Sequence, residues 1–244
     1  MRKKITTKTK GNAKISFWTK LKSFVFKTLL WFFGISVFLV ILFKFVPVPF
    51  TPLMIIRSIE QKLAGKEMTC SHDWVSIDEM SKNFPKAVFA SEDGNFIKHN
   101  GFDFKAMQKA FKSNNRGRKL KGGSTISQQT AKNVFLWQGR SYVRKGFEAY
   151  FTFLIELVWG KKRIMEVYLN SIEMGDGVYG VQAAAQHWYG KNAADVTQIQ
   201  AAGIAAILPN PRKYKASNSS NYINLRKAKI VRVMRRVGKI VYDK

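Results

Sequence analysis

The sequence predicts a mostly α-helical domain behind one N-terminal transmembrane helix, and three observations predict it. Thr28 to Phe43 is an apolar run of 16 residues without a charge. Extended past Lys27 and Lys44, it reaches about 25 residues, Phe24 to Val48, and about 20 helical residues cross the hydrocarbon core of a bilayer. Downstream, Phe147, Phe151, Leu154 and Val158 recur at helical spacing, as do Ile164, Val167 and Tyr168. No run of alternating short strands joined by hairpin turns interrupts this pattern, and no internal repeat is present.

Four zones follow along the chain. Residues 1–23 form a basic cytoplasmic tail, 24–48 the transmembrane anchor, 49–66 a membrane-proximal segment and 67–244 the main domain. The alternative for the apolar run is a cleaved signal peptide. No small-x-small cleavage site follows it; Val46-Pro47-Val48-Pro49-Phe50 does, which favours an uncleaved anchor. The basic leader before the span places the N-terminus in the cytoplasm and the body outside it. In the third zone Thr51-Pro52 reads as a helix cap and first helical residue. Leu53, Ile56, Ile59 and Leu63 then line one face, to lie on a membrane or pack on the body.

Charge bounds the partners. The formal net charge is +27 over 244 residues. Nine Lys/Arg and no acid lie in Met1–Lys27, and the remaining 33 basic and 15 acidic residues still leave +18. Such a balance calls for an anionic partner: nucleic acid, anionic lipid or a phosphorylated substrate. The expected topology speaks against nucleic acid, because the basic body lies outside the cytoplasm. The lone Cys70 excludes an intrachain disulfide.

The run Gly122-Gly123-Ser124-Thr125-Ile126-Ser127-Gln128-Gln129-Thr130-Ala131-Lys132-Asn133 carries the most chemistry. Two glycines stop a preceding helix, and Thr125 with Gln128 fits a capping box, so a helix starts here. Its N-terminal N–H groups would seat an anion. On that helix Ser124, Gln128 and Lys132 fall four apart and share a face. Upstream, Glu92 in Ser91-Glu92-Asp93-Gly94-Asn95-Phe96 sits between apolar Val88-Phe89-Ala90 and a glycine turn. Partial burial would raise its pKa toward that of a general base. His99 reads as a structural hydrogen-bonding histidine, and no metal-ligand spacing links it to His72 or His187. Lys109–Lys121 is basic and rich in turn formers, a solvated loop or a mobile flap. Arg226–Val237 reads as a basic amphipathic helix.

Together these segments resemble the glycosyltransferase family 51 domain. Arg144-Lys145-Gly146-Phe147-Glu148 is similar to that family's third motif. Arg163–Gly175, which holds Val167-Tyr168-Leu169-Asn170, is similar to the fourth, and Ala201–Pro211 to the fifth. All five occur in the family's order over roughly residues 70 to 215. A second catalytic domain is not expected in this length, so the resemblance is to the monofunctional biosynthetic peptidoglycan transglycosylases.

The resemblance implies a lysozyme-like, two-lobed glycosyltransferase domain. It implies polymerisation of lipid II, a lipid-linked disaccharide-peptide, into glycan strands with inversion and release of undecaprenyl pyrophosphate. It implies an enzyme of the bacterial inner membrane with a periplasmic catalytic domain, and partners among cell-wall synthesis proteins. By resemblance Glu92 is the base and Glu148 the second catalytic carboxylate. Ser124, Thr125, Gln128, Gln129, Lys132, Arg140 and Arg144 bind substrate, the cations on the pyrophosphate. Phe147 stands where some family members carry a basic residue, so the resemblance does not extend to one supplementary phosphate contact. No cofactor is implied; a divalent cation would arrive with the pyrophosphate rather than in a protein cage. A lytic transglycosylase also uses one catalytic Glu, but cleaving a glycan needs no pyrophosphate clamp.

Overall fold

The computed structural model describes residues 11–114, 122–139 and 141–242. The chain divides into two compact bodies, Met1–Phe43 and Lys44–Lys244.

The first body is most of helix α1, Gly11–Phe45. Of the expected tail at 1–23, residues 1–10 lie outside the described residues. Residues 11–23 are helical, and the stretch long and apolar enough to cross a membrane is Phe17–Phe45, 29 residues of mean hydropathy 2.3. Lysine and leucine are good helix formers and neither glycine nor proline lies between Asn12 and Ser23, so nothing stops the helix there. At the other end Pro47 disfavours helix at Val46. Thr28 and Ser36 return their hydroxyls to the carbonyls of Phe24 and Phe33, both at 3.0 Å, as polar groups in an apolar helix must.

In the second body the Thr51-Pro52 reading holds. Helix α2, Pro52–Leu63, is capped by the Thr51 side chain. Leu53 and Met54 are buried in a cluster with Tyr179, whereas Ile55, Ile59 and Leu63 are exposed. The apolar face is therefore split, half on the body and half outward.

Among the described residues eight further α-helices follow: α3 Asn83–Ser91, α4 Phe104–Asn114, α5 Ile126–Phe135, α6 Tyr142–Val158, α7 Lys161–Ser171, α8 Gly180–Tyr189, α9 Gln198–Ile207 and α10 Asn221–Met234. They gather in two groups. α9, apolar nearly all round and buried from Ala201 to Ile207, packs on α3 and α10. α5, with seven of its ten residues buried, packs on α6 and α7. α7 touches α3 and joins the groups. Lys109 to Asn114, expected in a loop, continue α4; residues 115–121 of that loop lie outside the described residues.

The expectation of no hairpin is corrected at one place. Strands β1 Ser71–His72, β2 Glu173–Gly175 and β3 Val178–Tyr179 form a sheet ordered β1-β3-β2. β1 runs parallel to β3 and β2 antiparallel. The turn is Asp176-Gly177, a strong hairpin signal hidden because its strands are too short to alternate visibly. Gly177 has φ +71, and a Cβ there would lie 2.2 Å from the Thr69 carbonyl oxygen. The mostly helical class stands.

Side chains of the fourth motif hold the fold. Asn170 is fully buried: its amide donates to the Val75 and Glu166 carbonyls, both at 2.9 Å, and accepts from the Val75 N–H at 3.0 Å. Glu166 accepts from the Ile77 N–H at 3.2 Å and pairs with Arg163 at 2.8 Å. α7 is thereby stapled to the segment that leads into α3.

Candidate active site

Glu92 stands at the C-cap of α3, where its N–H still donates to the Val88 carbonyl at 2.8 Å. Its carboxylate turns inward and is only 16% exposed. It accepts from Gln129 Nε2 at 3.3 Å and from Arg226 Nη2 at 3.5 Å. Burial holds its pKa above the usual carboxylate range; Gln129 and Arg226 pull it down without cancelling that, and Asp93 adds to the rise. Tyr168 is fully buried and donates to Gln129 Oε1 at 3.3 Å, which turns the amide nitrogen toward Glu92. Burial, with Glu92 and Asp93 nearby, keeps the Tyr168 hydroxyl protonated, so it remains a donor.

Asp93 explains what becomes of the N-terminus of α5. From the sequence, that helix end is open to an external anion. Instead the buried Asp93 carboxylate accepts from the Ile126 N–H at 3.1 Å and from His99 Nε2 at 3.0 Å. An acidic group at a helix start is favourable electrostatically. The Gln128 N–H goes to Thr125 Oγ1 at 3.2 Å, and Gln128 Oε1 takes the Thr125 N–H at 3.0 Å. The capping box is therefore real, and it uses donors that an anion would need. Thr125 also donates to the Gly101 carbonyl at 2.6 Å. His99 has the structural role expected of it.

The proposed shared face of Ser124, Gln128 and Lys132 does not form. The helix starts at Ile126, so Ser124 precedes the cap and is exposed, while Gln128 is buried. Ser124, Thr125 and Gly123 do meet Glu92 at one small cavity of about 110 Å³, with Asp93 and Asp103 beside it.

The later part of α5 presents Lys132 to a second cluster. Ser141 caps α6, accepting from the Arg144 N–H at 3.1 Å. One turn on, Glu148 is 3% exposed. Arg144 Nη1 donates to its Oε2 at 2.8 Å, and Lys145 bonds the other oxygen. The Arg144 Nε–H goes to the Gly139 carbonyl at 2.9 Å, so the guanidinium is fixed at both ends. Burial lowers the pKa of Lys132, Glu148 opposes this, and Arg144 and Lys145 lower it further. Arg140 lies outside the described residues. Gln129 and Lys132 are three apart on one helix, about 4.5 Å of rise, so α5 links the Glu92 cluster to the Glu148 cluster.

Four residues of this arrangement carried no role in the sequence reading: Asp93, Lys145, Tyr168 and Arg226. Lys145 had a signal, since it stands three before Glu148 on a helix. Arg226 had none, being 134 residues from Glu92. Below the site, Glu156 binds Ser127 and, at 2.7 Å, the buried Lys161, the structural use expected of Glu156. Among the described residues no three His, Cys, Asp or Glu side chains come together as a metal set.

Comparison with known proteins agrees in extent with this architecture. A family model described as transglycosylase matches residues 60–235. A protein of Bacteroides thetaiotaomicron named biosynthetic peptidoglycan transglycosylase is 51% identical over 220 residues, 90% of this chain and 89% of its own. One of that name from Caulobacter vibrioides is 56% identical over 191 residues, 78% of this chain and 81% of its own. Another, from Pseudomonas syringae pv. syringae, is 49% identical over 214 residues, 88% and 91% of the two chains. A match across most of the second body, with relatives aligned over most of both lengths, leads to one conclusion: the chain belongs to the transglycosylase family.

Proposed function

We propose that this enzyme polymerises lipid II into glycan strands by inverting glycosyl transfer, releasing undecaprenyl pyrophosphate. One observation carries the reading: α5 links a carboxylate held inward with raised proton affinity to a cluster of cations. Glu92 takes the proton of the acceptor sugar hydroxyl as that oxygen attacks the anomeric carbon of the donor. A base must accept a proton at the working pH, and burial moves Glu92 toward that range. The attack comes opposite the leaving group, so the configuration inverts. Lys132 and Arg144, with Arg140, stabilise the negative charge that develops on the departing phosphates. Glu148 orients Arg144. Ser124 and Gln129 line the approach to the base, and Thr125 and Gln128 hold the turn that places Ser124 there.

On this reading the apolar helix anchors the chain in the bacterial inner membrane, with the N-terminus cytoplasmic and the catalytic body periplasmic. A lipid-linked donor then meets the enzyme at the membrane surface. The test is direct. The full chain in neutral detergent is incubated with lipid II, and the products are separated by size. Polymer that a muramidase digests supports the reading; intact lipid II after prolonged incubation with folded protein rejects it.

A further inference from the structure

A second cavity, of about 550 Å³, lies apart from the Glu92 and Glu148 clusters and shares no residue with them. Its walls are the start of α3 with the turn before it, the first turn of α7, and residues 239–242. Ile77, Pro85, Ile240 and Val241 supply apolar surface, and Lys82, Lys86, Lys162 and Lys239 supply four ammonium groups. Asp78 is the single acid in the lining, and it is taken by Lys162 at 2.7 Å. Among the described residues, Lys82, Lys86 and Lys239 have no carboxylate within ion-pair distance. Like charges gathered round one concavity repel, and an anion between them relieves that repulsion.

A separate observation points the same way. The hydroxyl of Tyr242, which also lines the cavity, is buried and has no hydrogen-bond partner. Burial, and Asp78 after it, raises its pKa well above the usual phenol range, so it keeps its proton to donate. Buried donors are satisfied in the great majority of cases, by protein, water or ligand. The volume is that of a small-molecule site.

We propose that this cavity binds an anionic amphiphile: a phosphate-type head among the four lysines and the Tyr242 hydroxyl, with its apolar body against Ile77, Pro85, Ile240 and Val241. The head alone leaves the apolar wall uncovered, and the body alone leaves the charges unanswered. A ligand with both parts satisfies the site.

The test reads the four lysines directly and does not depend on turnover. The full chain, in nanodiscs of neutral phosphatidylcholine, is labelled with an amine-acylating reagent, and each lysine is quantified by mass spectrometry. Octyl phosphate should slow labelling of Lys82, Lys86, Lys162 and Lys239 together, roughly tenfold at about ten times the dissociation constant. Octyl glucoside should not. Inorganic phosphate should protect far less at equal concentration. Combined Lys82→Glu and Lys86→Glu should abolish protection of Lys162 and Lys239 while polymerisation stays at its original rate. Tyr242→Phe should weaken protection roughly tenfold, as loss of one bond to a charged group does. Protection in discs containing phosphatidylglycerol, without added amphiphile, would identify a bilayer lipid as the source; protection by octyl phosphate alone would identify a soluble one. Equal protection by inorganic phosphate would mean an adventitious ion only. That result, protection by octyl glucoside, or lysines that respond one at a time would overturn the proposal.

Discussion

At the scale of the residue, the central question is why a carboxylate is held where its charge is disfavoured. The proposed base, Glu92, must be ionised to act, yet burial favours its neutral form. Its folded pKa is raised, so the sign of the linkage is opposite to that of a salt-bridged carboxylate. Glu92 contributes most to stability at low pH, and that contribution is lost as pH rises through the folded pKa. Replacing Glu92 with Gln should therefore lower turnover by about 10²–10⁴-fold, the usual worth of a general base. The same variant should melt at a higher temperature, with a larger gain at pH 8 than at pH 5. Equal melting curves at both pH values would show that Glu92 is not held against its charge. Arg226 holds the pKa down, so Arg226→Gln should move the acid limb of kcat/KM to higher pH, and Arg226→Lys should restore much of the shift. Glu148 is the contrasting case, buried but answered by two cations. Arg144→Ala leaves it with one direct ion-pair partner, the partly exposed Lys145. Breaking a buried pair costs about 3–5 kcal/mol, and the surviving Lys145 places this variant near the lower end. Lys145→Ala should cost a fraction of that by denaturant unfolding.

At the scale of the element, α5 is both the best-read and the most misread part of the chain. Thr125-x-x-Gln128 is a local pattern, and local patterns survive folding because the atoms that satisfy each other are three residues apart. Thr125→Ala should cost about 1–2 kcal/mol, since it removes the cap and leaves the buried Gly101 carbonyl without its donor. Ser124→Ala, one residue before the cap, should be almost neutral in stability. An equal cost for both would mean that the cap is not what starts the helix. What the pattern could not reveal was the partner brought from elsewhere. The helix start looked open until Asp93 reached it, and Asp93 belongs to α3's turn, 33 residues upstream. For the same reason the Arg144–Glu148 pair was legible four residues apart, whereas the Glu92–Arg226 contact was invisible. The hairpin at Asp176-Gly177 failed differently: its signal is local, but strands of two or three residues have no period to detect.

At the scale of the whole molecule, the division after Phe43 separates what anchors from what folds. The anchor has a direction that charge should set, because nine basic residues precede the apolar run without an acid. A reporter active only in the cytoplasm, fused after Lys244, should be silent, and strong activity would reverse the proposed orientation. The folding body begins earlier than residue 67. Leu53 and Met54 of α2 are buried against Tyr179. Arg57 lies 3.7 Å from the buried Glu173, and the Val46 carbonyl accepts from Arg163 at 2.7 Å. A chain starting at Lys44 keeps all of these. A chain starting at Glu67 loses two buried side chains, each worth about 2–5 kcal/mol when truncated, and takes from the buried Glu173 its ion-pair partner Arg57. Against a total stability of about 5–15 kcal/mol for an ordinary domain, that loss is decisive. In matched neutral detergent the longer chain should unfold in one cooperative step, and the shorter should show a greatly lowered midpoint or none. Equal midpoints would show that α2 rests on the domain without supporting it.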